Sequence, residues 1–267
     1  MKQHDLPTYL AAAVDAAKIG AAVLESWRSK FNVTEKARAD LVTEADVASQ
    51  LVIRNHLLGR FPGHAFVGEE DCVGKSIDET RPPPGHPPTW VVDPLDGTVN
   101  YVHDVPCYCV SIGLVIDGVP TVGVIYEPRL GELFTAATGH GAHLNGVPMH
   151  VSACGKLADA LLSTGFPAAF EAQRRAFASW QKLSESAQAL RRTGSTAINL
   201  AYVACGRFDG YWATDNYAWD VAAGVVLVRE AGGTVTGVHG GDYDPFRMDI
   251  SATNGVIHAE LIAALVR

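Results

Sequence analysis

The sequence lacks the features that would place it with nucleic-acid binders, disulfide scaffolds or membrane proteins. No block of Lys or Arg occurs, and the formal net charge is −8. An acidic surface repels polyanions, which counts against binding that works by neutralising phosphates. Cysteine is scarce. Cys72, Cys107, Cys109, Cys154 and Cys205 are odd in number and form no C-x-x-C, so they outline neither a disulfide framework nor a zinc site. Cys107 and Cys109 would share one face of a strand, but two thiols alone make a poor metal site. Free thiols of a reducing compartment are expected, and with them a cytoplasmic location. The start, MKQHDLPTYL, has no charged-then-apolar leader pattern, and no uninterrupted apolar run reaches the length of a membrane span. There is no internal repeat. At 267 residues the chain suits one large α/β domain or two intimate lobes.

The most informative stretch is Trp90–Tyr101, WVVDPLDGTVNY. Trp90-Val91-Val92 reads as a buried strand. Pro94 has no N–H and a fixed φ, so the ladder is expected to stop there. Asp96-Gly97 is turn chemistry, and Thr98 is placed to cap a short helix through Asn100 and Tyr101. Asp93 and Asp96 thus stand at the mouth of a strand. Two carboxylates so close repel unless a cation lies between them. A hard divalent ion such as Mg²⁺ takes oxygen ligands, and the Leu95 carbonyl is a third candidate oxygen. Backbone N–H groups at Gly97 and the Thr98 hydroxyl suit an anion. Adjacent cation and anion sites point to phosphate chemistry. By itself D-x-x-D is also a solvated β-turn, so the rest of the chain must decide.

Residues 6–28 read as an amphipathic helix, with Asp5 as cap and Leu10, Val14, Ala17, Ala21 and Leu24 on its packing stripe. Residues 32–46 read as a polar connection in which Lys36 is either a solvated charge or a phosphate contact. Thr43 with Asp46 resembles a capping box, and Val47, Leu51 and Leu58 continue a helical stripe. AFVGEED (65–71) is a short strand ending in carboxylates: a solvated acidic turn, or a second strand end delivering Glu69 to a cleft at a sheet's carboxyl edge. Residues 74–88 form a Pro-rich surface loop. Asp117-Gly118 between two apolar runs signals a hairpin, and Gly139, Gly141 and Gly146 mark further turns. In the second half, 160–166 reads as a strand and 168–190 as a helix. Gly194-Ser195-Thr196 opens another helix, as an ordinary cap or an anion receptor. Asp220 sits in the first turn of a helix, where an aspartate also serves the dipole, and Ala222-Ala223-Gly224 permits close packing behind it. Strands near TVTGV and ISATNG and a helix at HAELIAAL end the chain.

Taken together, G-E-E (68–70), D-P-L-D-G-T (93–98) and W-D-V-A-A-G (219–224) resemble the signature motifs of the inositol monophosphatase family. D-L-V-T-E-A-D (40–46) and G-S-T-A-x-N (194–199) match its weaker motifs, and order and spacing agree over nearly the whole chain. The resemblance implies a layered αβαβα sandwich of the inositol monophosphatase and fructose-1,6-bisphosphatase type. It implies one domain over 1–267, with an α+β lobe to about residue 150 carrying most metal ligands and an αβα lobe over 151–267 carrying Asp220. It implies Mg²⁺-dependent phosphomonoester hydrolysis in a homodimer, with two or three ions, Mn²⁺ as a substitute and Li⁺ as inhibitor. It assigns metal ligation to Glu69, Asp93, the Leu95 carbonyl, Asp96 and Asp220. The catalytic set would be Asp46 and Thr98, which orient and deprotonate water, with Glu69. Asp96, Gly97, Thr98, Gly194, Ser195, Thr196 and Asp220 would hold the substrate. Two positions depart from the inositol-specific pattern: Ala213 replaces a glutamate that contacts the ring, and Thr196 replaces a common alanine. Inositol phosphate or a related polyol phosphate is the first expectation. Histidinol phosphate, a fructose bisphosphate and a nucleotide 3′-phosphate stay open, as does a regulatory protein that keeps only the fold.

Overall fold

The computed structural model describes residues 5–28, 30, 33–37, 40–167 and 170–266. Helix α1 (Leu6–Trp27) begins at Asp5, whose carboxylate accepts from the Thr8 N–H and hydroxyl. The strands β1 (Val33–Ala37) and β2 (Asp40–Thr43) pair antiparallel, where a polar connection was expected. The Lys36 side chain lies outside the described residues. Helix α2 (Glu44–Arg60) opens with the predicted capping box: Asp46 accepts from the Thr43 N–H while the Thr43 hydroxyl serves the first turn. The predicted stripe on α2 is corrected. Val47 and Leu51 are exposed, and the buried face is Ala45, Asp46, Ser49, Gln50, Ile53 and Leu57. The reason is close contact with α1, since a Cβ at Gly20 would stand 2.6 Å from Ile53 and 2.9 Å from the Ser49 hydroxyl.

The large sheet follows. Strand β3 (Ala65–Gly68) runs into a 3₁₀ turn at Glu69–Asp71, and the Pro-rich loop contains a single-turn helix α3 (Ile77–Thr80). Strand β4 (Thr89–Asp96) lies parallel to β3 and leads to α4 (Thr98–Val102). Then come β5 (Cys109–Ile116), β6 (Val119–Glu127), β7 (Glu132–Ala137), β8 (Ala142–Leu144) and β9 (Val147–Pro148), all antiparallel neighbours. Asp117-Gly118 turns β5 into β6 as predicted. Cys107 precedes β5, so it does not share a strand face with Cys109; all five thiols are free.

The second sheet is built from residues 161–253. It contains β10 (Leu161–Thr164), β11 (Ala189–Arg191), β12 (Gly210–Ala213), β13 (Thr234–Thr236) and β14 (Ile250–Thr253) in the order β11-β10-β12-β14-β13. Its helices are α5 (Phe170–Ser186), α6 (Thr196–Ala204), α7 (Ala218–Glu230) and α8 (His258–Val266). Residues 168 and 169 of the predicted helix lie outside the described residues, and Leu190 belongs to β11.

The layers stack as α1/α2, the seven-stranded sheet, α6/α7, the five-stranded sheet, and α5/α8. Ile53, Leu57, Trp90, Ile112 and Leu114 fill the first interface. Ile125, Phe134, Leu200, Tyr211 and Val225 fill the middle, and Leu162, Leu183, Trp212 and Leu261 the last. Each fully buried side chain of this size contributes about 1.5–3 kcal/mol. Because α7 lies between two sheets it is apolar almost all round, not on one stripe. By length and composition α1 is apolar enough to cross a bilayer. Ala12, Ala13, Ala16, Ala17 and Leu24 are instead buried in the first interface. Asp15, on the outer face, pairs with Arg60 of α2.

Candidate active site

The site forms where β3 and β4, which run parallel, release the chain at the same edge. Pairing of Gly68 with Val92 puts Glu69 and Asp93 one step beyond a common level. The end of β3 is fixed by α2. Gln50 accepts from the Glu70 N–H at 3.0 Å, and a Cβ at Gly68 would meet its side chain.

Strand β4 does not end at Pro94 as expected. Asp93 pairs with Ser111 and Asp96 with Cys109, so two residues of β4 face one of β5. This is a bulge, which absorbs a residue that cannot donate and re-aims its neighbours. The Asp93 carboxylate accepts from the Leu95 N–H at 2.9 Å, which locks the bulge from inside. Gly97 follows at φ 99°, a left-handed conformation open to glycine at little cost. It is therefore Gly97 that caps α4, and Thr98 is the first helical residue.

Thr98 Oγ1 stands 3.1 Å from the Leu95 carbonyl and 3.4 Å from Asp46 Oδ1. The other Asp46 oxygen accepts from the Thr43 N–H and hydroxyl at 2.9 and 2.6 Å. The capping box and the site thus share Asp46, and the first turn of α2 does face the Asp93 turn.

Asp220 arrives from the middle helical layer, on the first turn of α7, its carboxylate accepting from the Tyr217 N–H at 2.7 Å. The Ser111 hydroxyl donates to the neighbouring Trp219 carbonyl at 3.2 Å, tying α7 to the strand that pairs with Asp93. Ala222 and Ala223 lie against Gly113 and Gly123 of the large sheet. That is the close packing the small residues permit.

The anion received by the α6 N-terminus is the Asp96 carboxylate. It accepts from the Ser195 hydroxyl at 2.7 Å, the Thr196 N–H at 3.3 Å and the Ala197 N–H at 2.5 Å. Ser195 also caps α6 through the Ile198 N–H. Gly194 (φ 92°) is held against Asn100, which donates to the Thr193 and Cys107 carbonyls. Thr196 Oγ1 lies 3.0 Å from the Tyr211 hydroxyl and 3.4 Å from Asn216 Oδ1.

Electrostatically the four acidic groups meet. Burial, and then the charges of Glu69, Asp96 and Asp220, push Asp93 well above the usual carboxylate range. Burial pushes Asp96 up to about 6; Ser195, Ala197 and Thr196 pull against this and Glu69 adds to it. They do not form a closed shell. Among the described residues, no three His, Cys, Asp or Glu side chains are already arranged to hold an ion.

Every position expected for the site is therefore located: Asp46, Glu69, Asp93, Leu95, Asp96, Gly97 and Thr98 at one sheet edge, Gly194–Thr196 and Asp220 across from it. Gln50, Ser111, Asn100 and Tyr211, which hold these residues in place, were not anticipated. Their partners are remote in sequence, and nothing in their local pattern marks them.

The profile of the Inositol monophosphatase family matches residues 5–267. The chain belongs to the inositol monophosphatase family. An inositol-1-monophosphatase from Synechocystis is 44% identical over 98% of this chain and 90% of its own length. The structure of an inositol monophosphatase from Anabaena superposes with a TM-score of 0.82 at 41% identity, covering 98% of this chain and 97% of that one. Extragenic suppressor protein suhB from Bartonella henselae gives a TM-score of 0.86 at 36% identity, covering 97% and 98%. Family membership makes this chain a phosphoric monoester hydrolase of the layered fold described above, in a family that uses divalent metal ions.

Proposed function

We propose that this enzyme hydrolyses a small phosphomonoester, inositol monophosphate or a related polyol phosphate, in a Mg²⁺-dependent reaction. One observation carries the proposal: Glu69, Asp96 and Asp220, from three separate elements, all bear on the buried Asp93. The strongest charges acting on it are negative, and such a cluster calls for a hard cation. The donor set fits one: Glu69, Asp93, Asp96 and Asp220 with the Leu95 carbonyl.

Bound divalent ions would neutralise the phosphate dianion and acidify the attacking water. The chain's own residues do the rest. Thr98 and Asp46 form the pair that orients and deprotonates the water, since Thr43 occupies one Asp46 oxygen and leaves the other to Thr98. Backbone N–H groups at Gly97 and Thr98 hold phosphate oxygens, and the glycine φ sets their direction. Asp220 approaches the leaving oxygen, with Gly194, Ser195 and Thr196 forming the wall beside Asp96. Glu69 completes the catalytic set. A homodimer in the cytoplasm is the assembly and location we assign, on the family resemblance and the free thiols.

The test is phosphate release from inositol 1-phosphate, histidinol phosphate, fructose 1,6-bisphosphate and a nucleoside 3′-phosphate, with Mg²⁺, with EDTA, and with Mg²⁺ plus Li⁺. Release that needs Mg²⁺ and falls with Li⁺ is expected. A protein that releases phosphate from none of them refutes the reading, and its capture of a protein partner would favour a regulatory role instead.

A further inference from the structure

Beside Asp96 a cavity of about 130 Å³ opens between β10 and the start of α6. Asp96, Ser195 and Thr196 line one side, Gly165, Phe166 and Arg192 the other. Several other arginines are held by carboxylates. Arg28, Arg54, Arg81, Arg129 and Arg207 each pair with a carboxylate. Among the described residues Arg192 has no ion pair or hydrogen bond; its guanidinium carbon stands 5.3 Å from the Phe166 ring centroid. Phe166 is in turn packed against Phe177 and Trp180 of α5, with centroids 4.8 and 5.7 Å away. A guanidinium held by its face on a ring keeps its edge donors, a planar fork that matches carboxylate or phosphate oxygens.

The wall behind the cavity is neutral. A Cβ at Gly165 would stand 3.4 Å from the Tyr211 hydroxyl, 3.9 Å from Ala213 and 4.0 Å from Thr196 Oγ1. Ala213 therefore lies behind Gly165, and as an alanine it brings no carboxylate to that side. The cavity has the proposed phosphate centre at one end and an unpaired cation at the other.

We infer that Arg192 is a specificity-determining residue and that the preferred phosphomonoester carries a second anionic group, phosphate or carboxylate, on its alcohol. This rests on the hydrolase reading above: the ester phosphate sits at the Asp96 end and the second anion meets the Arg192 fork. A charge-assisted hydrogen bond of this kind is lost with the guanidinium.

The test compares the parent, Arg192→Gln and Arg192→Lys on inositol 1-phosphate, fructose 1,6-bisphosphate and 2-phosphoglycerate, with Mg²⁺ present. Thermal melting confirms that the variants fold. In Arg192→Gln the ratio of kcat/KM for a second-anion substrate over inositol 1-phosphate should fall about ten- to a hundredfold, through KM, and Arg192→Lys should recover part of it. The substrate whose ratio falls identifies the second anion as phosphate or carboxylate. Parallel loss on all three substrates, no loss on any, or a parent that turns over inositol 1-phosphate alone overturns the inference and leaves the hydrolase reading standing. A parent that hydrolyses no phosphomonoester overturns both.

Discussion

Asp93→Asn is the substitution in which stability and function should move in opposite directions. Asp93 is buried and faced by three other carboxylates. An asparagine keeps the acceptor for the Leu95 N–H and turns an amide donor toward those carboxylates. An uncompensated buried charge costs roughly 3–5 kcal/mol. Recovering about 3 kcal/mol of it should raise the melting temperature by roughly 6–12 °C in a chain of this size. The comparison belongs in EDTA at pH 7.5. The pH dependence follows from the directions of the shifts. Asp93 and Asp96 have folded pKa values above the free value of 3.8, Asp96 at about 6. The folded state therefore holds protons that the unfolded chain has released, and metal-free stability falls as pH rises from about 4 through 6. The advantage of the variant should shrink as the pH is lowered, because the parent then neutralises Asp93 by protonation. Saturating Mg²⁺ should raise the melting point of the parent and much less that of the variant. Turnover should drop by about a hundredfold or more, since a ligand charge supporting several kcal/mol of transition-state stabilisation is gone. An Asn variant that melts below the parent in EDTA would show that Asp93 is not a repelled charge. One that turns over substrate like the parent would remove it from the metal site.

Three further outcomes follow from contacts around the site. Ser195→Ala removes the hydroxyl that holds Asp96 down and caps α6; it should cost about 1 kcal/mol of stability and shift the acidic limb of the pH–rate profile upward, since Asp96 then ionises at higher pH. Gly123→Ala would place a Cβ 2.3 Å from the Ala223 carbonyl, pushing α7 off the sheet; about 1–3 kcal/mol of stability should be lost by denaturant titration, with a fall in kcat as Asp220 moves. Thr98→Ala leaves Asp46 in its capping box but removes its partner for water; kcat should fall about a hundredfold with KM little changed, and an equal change in KM instead would mean that Thr98 only binds substrate.

Local chemistry made much of the molecule readable. Asp-Gly at 117–118 could only be a tight turn between two apolar runs, and Thr43 with Asp46 fixed a helix start to the residue. Pro94 and Gly97 announced a distortion at the end of β4. Its form was not readable, because a bulge is defined by the partner strand: Ser111 and Cys109 show that the ladder resumes at Asp96. The hairpin β1–β2 was missed for a related reason. Its short segments VTEKA and DLVT mix apolar with charged residues without a sustained alternation, and pairing with each other makes them strands. On α2 the apolar residues Val47 and Leu51 gave a false stripe, while Ser49 and Gln50 are buried by contacts with Gly20 and the Glu70 backbone.

The sequence by itself determined which side chains carry charge at strand and helix ends, because turn residues and caps act over three or four positions. Those local signals left each position open, and it was the resemblance of their motifs to the inositol monophosphatase family that named Glu69, Asp93, Asp96, Thr98 and Asp220 together. Only the tertiary structure decided how those groups are held. Asp96 is gripped by a helix that starts a hundred residues later, Asp220 is seated through Ser111 and two alanines on the large sheet, and Arg192 is brought to the same cavity on an aromatic ring. Each of these depends on packing between layers, where through-space distance and the low dielectric of the interior set the energies and separation along the chain does not.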